Sequence, residues 1–210
     1  MNILQIISNS QLGGAEKHTK LISIALAKLG HSIQLVFPPG PYTPYFRQCE
    51  KFGIKTYEVK NLKGSPWKAA REICNLVNMD SVNVIHSHQH RADFITRLIK
   101  RRYPHVVTIT TIHDQLGKDY PLWKTPWKFF PYYVFSFLGV HDLDYVIATS
   151  EPVKNYIKKL YFLHTDKVVH IPNAIDTTEI DNLSMKINIH EQFNIPKGSI
   201  VISYAVFCLK

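Results

Sequence analysis

The sequence predicts an α/β protein with a Rossmann-like, doubly wound parallel sheet. Short runs rich in β-branched and other apolar residues alternate with segments of helical periodicity along most of the 210 residues. Residues that start and stop helices mark the ends of the helical segments. Alternation of strand and helix is typical of a parallel sheet, because each crossover must return the chain to the same edge.

Eight apolar runs are the predicted strands. In chain order they read NILQII, SIQLVF, IKTYEV, VNVIH, HVVTITTIH, YVIAT, KVVHI and SIVISYAVF. Their length and β-branched content favour buried strands over helices.

The helical segments between these runs have recognisable ends. Apolar or small residues recur at helical spacing from Ala15 to Leu29, with His18 among these positions, and Gly30 follows as a C′ residue. Ser65 and Pro66 are an N-cap and a first helical residue. The segments ADFITRLIKRR and SEPVKNYIKKLY gather cations in their last turns, where cations complement the helix dipole.

Composition and cysteine usage indicate a folded cytoplasmic protein. Hydrophobic residues make up 45% and charged residues 20%, as in ordinary globular domains. Three widely spaced cysteines, Cys49, Cys74 and Cys208, form no CxxC pair, which indicates reduced thiols. The N-terminus lacks a basic n-region, and no stretch reaches the roughly 18 apolar residues that span a bilayer.

The polar segment that follows the seventh predicted strand marks the best domain boundary. We expect an N-terminal domain at residues 1–172, an interdomain linker at 173–198, and the truncated first strand of a second domain at 199–210. The residues after the boundary offer one short helix and one strand, too few to build a second core.

The net charge of +9 and the pI near 9.4 allow several partners. Nucleic acid, an anionic lipid surface and a phosphate-bearing substrate all fit, and so does a basic surface that only favours solubility. Because no nucleic-acid-binding motif accompanies the charge, we expect no nucleic acid partner.

Residues 120–137 concentrate nine of the 25 aromatic residues. Trp123, Lys124, Trp127 and Lys128 combine aromatic rings with cations, as segments at a membrane interface or around a lipid-linked acceptor do. An aromatic cluster is also typical of core or domain-interface packing. Pro126 and Pro131 predict that the segment is not one long regular helix.

Gly13 and Gly14 lie between the first predicted strand and the helix that follows. A helix N-terminus at this place offers unpaired N–H groups and a partial positive charge, and glycines let an anion approach the backbone. The pair therefore predicts a diphosphate site, with an economical turn as the alternative. The fingerprints G-x-G-x-x-G and G-x-x-x-x-G-K-[ST] are absent, so neither a nicotinamide enzyme nor a P-loop enzyme is supported.

Histidines mark the ends of two later strands. His86, His88 and His90 recur at two-residue intervals, but no further ligand stands at a recognisable spacing, so we expect no metal. Polar lining of a substrate cleft, with one histidine packed in the core, is the favoured interpretation. His113 and Asp114 end the next strand, where a histidine can contact substrate or merely cap the strand.

The sequence contains, in this order, the glycine pair, the HSH and TIHD strand ends, VIATSEPVKNYI and VVHIPNAIDT. With this ordered set the chain resembles the N-terminal domain of family-4 glycosyltransferases of the GT-B fold. The most specific segment is GGAEKHTKLISIALAKLGHSIQLV, and HIPNAID is next. The resemblance covers roughly residues 1–183. It implies two facing Rossmann-like domains, the first binding mainly the acceptor and the second mainly the nucleotide-sugar donor.

The resemblance also implies a reaction and roles for residues. It implies sugar transfer with retention of configuration and no bound metal or other cofactor. Gly13 and Gly14 would approach the donor diphosphate, and His113 would contact the donor sugar near the reacting centre. Ser150 would be mostly structural at the edge of the cleft. Asn173 would belong to a Pro-Asn-Gly turn, although Ala174 replaces its glycine.

Two functions remain open at this point. The family's second domain supplies a Gly-Arg loop, a basic pair for the diphosphate and a Glu-x7-Glu motif, whereas at the start of that domain this sequence reads ISYAVFCLK and then ends. In the first hypothesis, the chain is the acceptor-binding half of a glycosyltransferase that works at the inner face of the membrane in the synthesis of cell-surface polysaccharide, lipopolysaccharide or another glycolipid. In the second, it is a non-catalytic acceptor-binding module, either decayed or paired with a separate donor-binding subunit.

Overall fold

The computed structural model describes residues 1–9, 13–113, 126–175, 177 and 188–202. Seven strands form one sheet in this part of the chain, and every neighbouring pair is parallel. The strands are β1 (Asn2–Ile7), β2 (Ser32–Phe37), β3 (Lys55–Glu58), β4 (Val84–His88), β5 (Val107–Ile112), β6 (Tyr145–Ala148) and β7 (Val168–His170). Their order across the sheet is β3-β2-β1-β4-β5-β6-β7. The predicted Rossmann-like fold class is confirmed.

Helices follow most of the strands. They are α1 (Gly14–Lys28), α2 (Thr43–Arg47), α3 (Pro66–Leu76), α4 (His90–Arg102), α5 (Pro126–Asp142), α6 (Glu151–Tyr161) and α7 (Ile189–Gln192). Short 3-10 turns lie at Gln48–Phe52, Lys60–Lys63, Met79–Ser81 and Thr165–Lys167.

Two sequence expectations differ from the structure. Helix α5 begins at Pro126 and continues through Pro131, so the expectation that Pro131 interrupts a long helix was wrong, while residues 120–125 lie outside the described residues. Pro126 occupies the first helical position, where an N–H is not needed, and Pro131 removes a single intrahelical donor. The eighth predicted strand is absent at 199–202, and the rest of that run lies outside the described residues.

Apolar side chains fill both faces of the sheet. Along β1, Leu4 and Ile6 pack with α3 and α4 on one face, while Ile3 and Ile7 pack with residues of α1 and α2 on the other. This alternation follows from the two-residue period of a strand. A third cluster packs β5, β6 and β7 against α5 and α6. Packing on both faces holds the parallel strands in place, with their carboxyl ends on the same side of the sheet.

The chain divides into two compact units, residues 1–174 and residues 175–210. The first contains the whole sheet, and the described part of the second contains α7. The finer division at 172 and 198 stays a prediction. Among the described residues, none of the helices combines the length and apolar character that a bilayer crossing requires.

Candidate functional site

The candidate site lies at the carboxyl ends of β1, β4 and β5. Strand β1 has β2 on one side and β4 on the other, so the chain direction across the sheet reverses between β1 and β4. In open α/β sheets the loops diverge at this switch point and leave a crevice for ligands. Sequence-predicted site residues follow each of these three strands.

The glycine pair begins α1, and its two members have different surroundings. Gly13 is the N-cap in an extended conformation, and its N–H donates to Oε2 of Glu16 at 2.9 Å. Glu16 is the third helical residue and is 2% exposed. A Cβ on Gly13 would lie 2.9 Å from the same oxygen, whereas a Cβ on Gly14 would meet nothing within 4 Å. Gly13 makes room for the carboxylate, and Gly14 faces open space.

Gln89 joins the loops that follow β1 and β4. Its Nε2 donates to Oε1 of Glu16 at 2.8 Å, and its Oε1 accepts from the Ser8 hydroxyl at 3.2 Å. The backbone of Gln89 has a φ of 77° at the N-cap of α4, which is unusual for a residue other than glycine. Backbone strain of this kind costs on the order of 1–3 kcal/mol and clusters at functional sites.

Four histidine rings meet beside this junction. His86 and His88 lie on one face of β4 with ring centroids 4.3 Å apart. The ring of His18, from α1, is 5.8 Å from that of His88 and 5.0 Å from that of His113, which follows β5. Ligating nitrogens of His18, His88 and His113 all lie within 4.8 Å of one another. His90 starts α4, and its Nδ1 is 2.7 Å from the Ser136 hydroxyl.

Hydrogen bonds set the state of the buried rings. Nε2 of His88 donates to Oε1 of Gln5 at 2.9 Å, so Nδ1 of the neutral ring carries a lone pair. Nε2 of His86 lies 2.8 Å from the hydroxyl oxygen of Thr111. Among the described residues, Nδ1 of His88 and Nε2 of His113 are buried without a hydrogen-bond partner. Two imidazole nitrogens are therefore available to a ligand.

Burial keeps the histidine cluster uncharged. Loss of solvation lowers the pKa of His86 to about 3 and that of His113 to about 4, and repulsion from neighbouring rings adds to the effect. The pKa of His88 falls well below its ordinary value for the same reasons, and burial lowers the pKa of His18. At neutral pH these rings act as hydrogen-bonding groups and offer no cation to a phosphate.

A buried carboxyl group supports the ends of β4 and β5. Oδ1 of Asp93, on α4, accepts from the hydroxyls of Ser87 at 2.7 Å and Thr110 at 2.6 Å. Oδ2 has no partner among the described residues. Burial raises the pKa of Asp93 to about 7, although both hydroxyl bonds act in the opposite direction. Since Ser87 lies between His86 and His88 along β4, its side chain points to the other face of the sheet.

A cavity of about 70 Å³ opens between the start of α1 and the end of β5. Its lining comprises Ala15, Gln89, His90, Thr111, Ile112 and His113. Of the predicted residues, His113 lines this cavity itself, and Gly13 and Gly14 begin the helix whose Ala15 lines it.

The remaining predicted site residues lie elsewhere or outside the described part. The Ser150 hydroxyl caps α6 by accepting from the N–H of Val153 at 3.3 Å, and Asn173 is exposed beyond β7. Asp114, Trp123 and Lys124 lie outside the described residues. Trp127 and Lys128 belong to α5, but their side chains are not among those described.

Sequence reasoning missed four side chains of the site. His18 was grouped with the apolar face of α1, and Glu16 does not match a capping box because Gly13 has no side chain to reciprocate. Gln89 offers no local signal. Gln5, fully buried in an otherwise apolar strand, was detectable as a polar residue in a core position.

The sequence comparison identifies the class of protein. Residues 12–179 match the model of Glycosyltransferase Family 4, and the chain belongs to that family. No curated protein sequence matches the chain significantly.

Solved structures share the fold at low sequence identity. Anabaena Alr3699/HepE in complex with UDP and glucose is 13% identical with a TM-score of 0.66, and the match covers 85% of this chain and 46% of that one. The lipopolysaccharide outer core galactosyltransferase WaaB is 13% identical with a TM-score of 0.63 and coverages of 84% and 46%. A putative UDP-N-acetylglucosamine 2-epimerase from Listeria monocytogenes is 12% identical with a TM-score of 0.61 and coverages of 91% and 50%. The chain thus spans about half the length of these proteins, and its fold corresponds to one half of the GT-B architecture.

Proposed function

We propose that this chain is the acceptor-side half of a retaining glycosyltransferase, which moves a sugar from a nucleotide-sugar donor to a glycan or lipid-linked acceptor of the cell surface. The family supports a sugar transferase. The observation that carries the proposal is the buried, unpartnered Nε2 of His113 beside the cavity at the end of β5. An unpaired buried polar atom costs about 1–3 kcal/mol, which a sugar hydroxyl in this cavity would recover.

Neutral His113 suits this role because an uncharged imidazole accepts or donates one hydrogen bond to a hydroxyl. Its low pKa keeps the ring in that form throughout the physiological range. The complex of HepE with UDP and glucose supports a nucleotide-sugar as the donor. In the proposed arrangement, His113 binds the sugar and Gly14 lies beside the diphosphate.

The diphosphate requires charge that this site does not provide. Glu16 places a carboxylate at the N-terminus of α1, where it offsets the partial positive charge of the helix dipole. The histidines are neutral at pH 7. We therefore propose that the cations that stabilise the leaving diphosphate belong to a second, donor-binding domain or subunit.

Saturation-transfer NMR with UDP-glucose, UDP-galactose and GDP-mannose tests the donor site. We expect binding weaker than about 1 μM for this chain, with saturation of the sugar protons. His113→Gln should weaken binding about tenfold, the effect of one hydrogen bond worth about 1.4 kcal/mol. His164→Gln, at an exposed position, is the matched control.

Two results would contradict the proposed donor site. One is the absence of saturation transfer from every donor, and the other is wild-type affinity in a folded His113→Gln variant. Submicromolar binding would show that the chain holds the diphosphate without further cations. Circular dichroism of each variant verifies the fold.

We also propose that residues 120–137 bring the protein to an anionic membrane surface at the cytoplasmic side. The net charge of +9 favours such a surface. Phe130, whose side chain is described, is 65% exposed on α5, so at least one aromatic ring of the segment is open to a partner. Aromatic rings combined with cations bind at the headgroup level of a bilayer.

A further inference from the structure

The grouping of His18, His88 and His113 has a chemistry of its own. These residues come from α1, β4 and β5, and their ligating nitrogens lie within 4.8 Å of one another. Imidazole nitrogen is a common ligand of zinc, at Zn–N distances of about 2.0–2.1 Å. In a tetrahedral site two such nitrogens are about 3.4 Å apart, so the largest separation here must shorten by about 1.4 Å. Rotation of half-buried His18 and His113 provides that movement.

Two nitrogens of this group are free of competing bonds. Nδ1 of His88 and Nε2 of His113 are buried and have no hydrogen-bond partner among the described residues. Leaving both unpaired is costly for the folded protein. A cation bound between them would satisfy both lone pairs at once.

The surroundings of His88 resemble the outer shell of a metal site. Its other nitrogen, Nε2, donates to Oε1 of Gln5 at 2.9 Å. Gln5 is fully buried in β1, so the bond holds the His88 ring in the tautomer whose Nδ1 carries the lone pair. Metal-binding histidines commonly donate their second N–H to such an acceptor, which fixes the ring and strengthens the ligand.

We propose that His18, His88 and His113 bind one divalent transition-metal ion, with zinc as the preferred ion. Three imidazoles without a thiolate suit Zn²⁺ and its neighbours Co²⁺, Ni²⁺ and Cu²⁺, whereas Mg²⁺ and Ca²⁺ prefer oxygen ligands. His113 also lines the cavity, which leaves room for water as a fourth ligand. His86 is excluded because its Nε2 is bonded to Thr111 and its ring packs on His88.

The spacing of His86, His88 and His90 predicts no metal, because no further ligand stands at a recognisable distance from them in the sequence. The proposed ligands are separated by 70 and 25 residues along the chain, and only the sheet brings β1, β4 and β5 together. The site requires no donor, acceptor or second domain. A metal ion bound there uses the Nε2 of His113 that the proposed function assigns to the donor sugar, so metal and sugar exclude each other at that nitrogen.

Cobalt absorption and zinc calorimetry on the EDTA-treated full chain test the proposal. Co²⁺ should give the intense visible d–d bands of four-coordinate cobalt, and added Zn²⁺ should remove them. Calorimetry should find one tight Zn²⁺ per chain. His18→Ala and His113→Ala should each weaken that binding about a hundredfold and abolish the cobalt bands.

His164→Ala is the matched control, because this histidine is exposed and should leave both signals unchanged. His18→Ala preserves the helix, since alanine is the best helix former, and circular dichroism verifies each fold. The proposal is overturned if wild-type protein gives no four-coordinate cobalt spectrum, or if folded His18→Ala binds Zn²⁺ as tightly as wild type. Because neither measurement uses a sugar donor, failure here is distinct from failure of the proposed transferase function.

Discussion

Replacing Asp93 with asparagine should change how the stability of this protein depends on pH. The carboxyl is fully buried and its folded-state pKa is raised from 3.8 to about 7, mainly by burial. The folded protein therefore holds a proton on Asp93 that the unfolded chain releases between these two values. The stability that this proton provides is fully present below pH 3.8 and is lost as pH rises through 7.

The magnitude follows from the separation of the two pKa values. At 1.36 kcal/mol for each pH unit, a difference of about three units amounts to about 4 kcal/mol at pH 8, as an upper bound. Asparagine keeps the Oδ1 acceptor for Ser87 and Thr110 and has no proton to lose. The free energy of unfolding of Asp93→Asn relative to wild type should therefore rise by roughly 1.4 kcal/mol per unit between pH 4 and 7 and level off above that range.

Urea unfolding followed by circular dichroism at pH 4.5, 5.5, 6.5, 7.5 and 8.5 measures this difference. Asp80→Asn, at an exposed position, is the matched control and should run parallel to wild type. Parallel curves for wild type and Asp93→Asn would refute the reasoning, because Asp93 would then titrate alike in the folded and unfolded chains.

Two further predictions concern α5 and the segment before it. The wild-type protein should sediment with vesicles that contain anionic lipid, and much less of a Trp123→Ala/Trp127→Ala variant should do so. The control variant Trp67→Ala, which removes a 60% exposed ring elsewhere, should bind the vesicles as wild type does. Equal binding of the wild-type protein and both variants to the vesicles would contradict the membrane proposal. Gly139→Ala should destabilise the protein by about 1–3 kcal/mol, because the new Cβ would lie 3.0 Å from Cβ of Asp93 where α5 crosses α4. An unchanged melting temperature would contradict that close packing.

Local patterns predicted the fold because each strand carries its own signal. Apolar runs such as SIQLVF and VNVIH need no knowledge of their neighbours, and alternation with helices leads directly to a parallel sheet. The prolines of α5 show the limit of such signals. Pro131 removes one hydrogen bond, and the burial of the helix against α4 and α6 outweighs that loss.

The site was only half predictable for a similar reason. Strand ends and glycines are local features, so the sequence points to Gly13, Gly14, His88 and His113 without any knowledge of their neighbours. The contact of His18 with His113 joins residues 95 positions apart, and periodicity places His18 on the buried face of α1 without showing which polar groups lie opposite. Long-range side-chain pairing is absent from any local pattern.

The surroundings of Gly13 and Gly14 change what the pair can do for an anion. The N–H of Gly13 already donates to Glu16, and the same carboxylate accepts from Gln89. A phosphate at Gly13 would have to displace a buried negative charge and break both hydrogen bonds, whereas the open side of Gly14 presents no such obstacle. We infer that the first glycine serves the fold, since it lets Glu16 tie the loops after β1 and β4 together. The second is the one that a donor can approach, and the partial charge of the α1 dipole is too small to hold a diphosphate beside that carboxylate without cations from elsewhere.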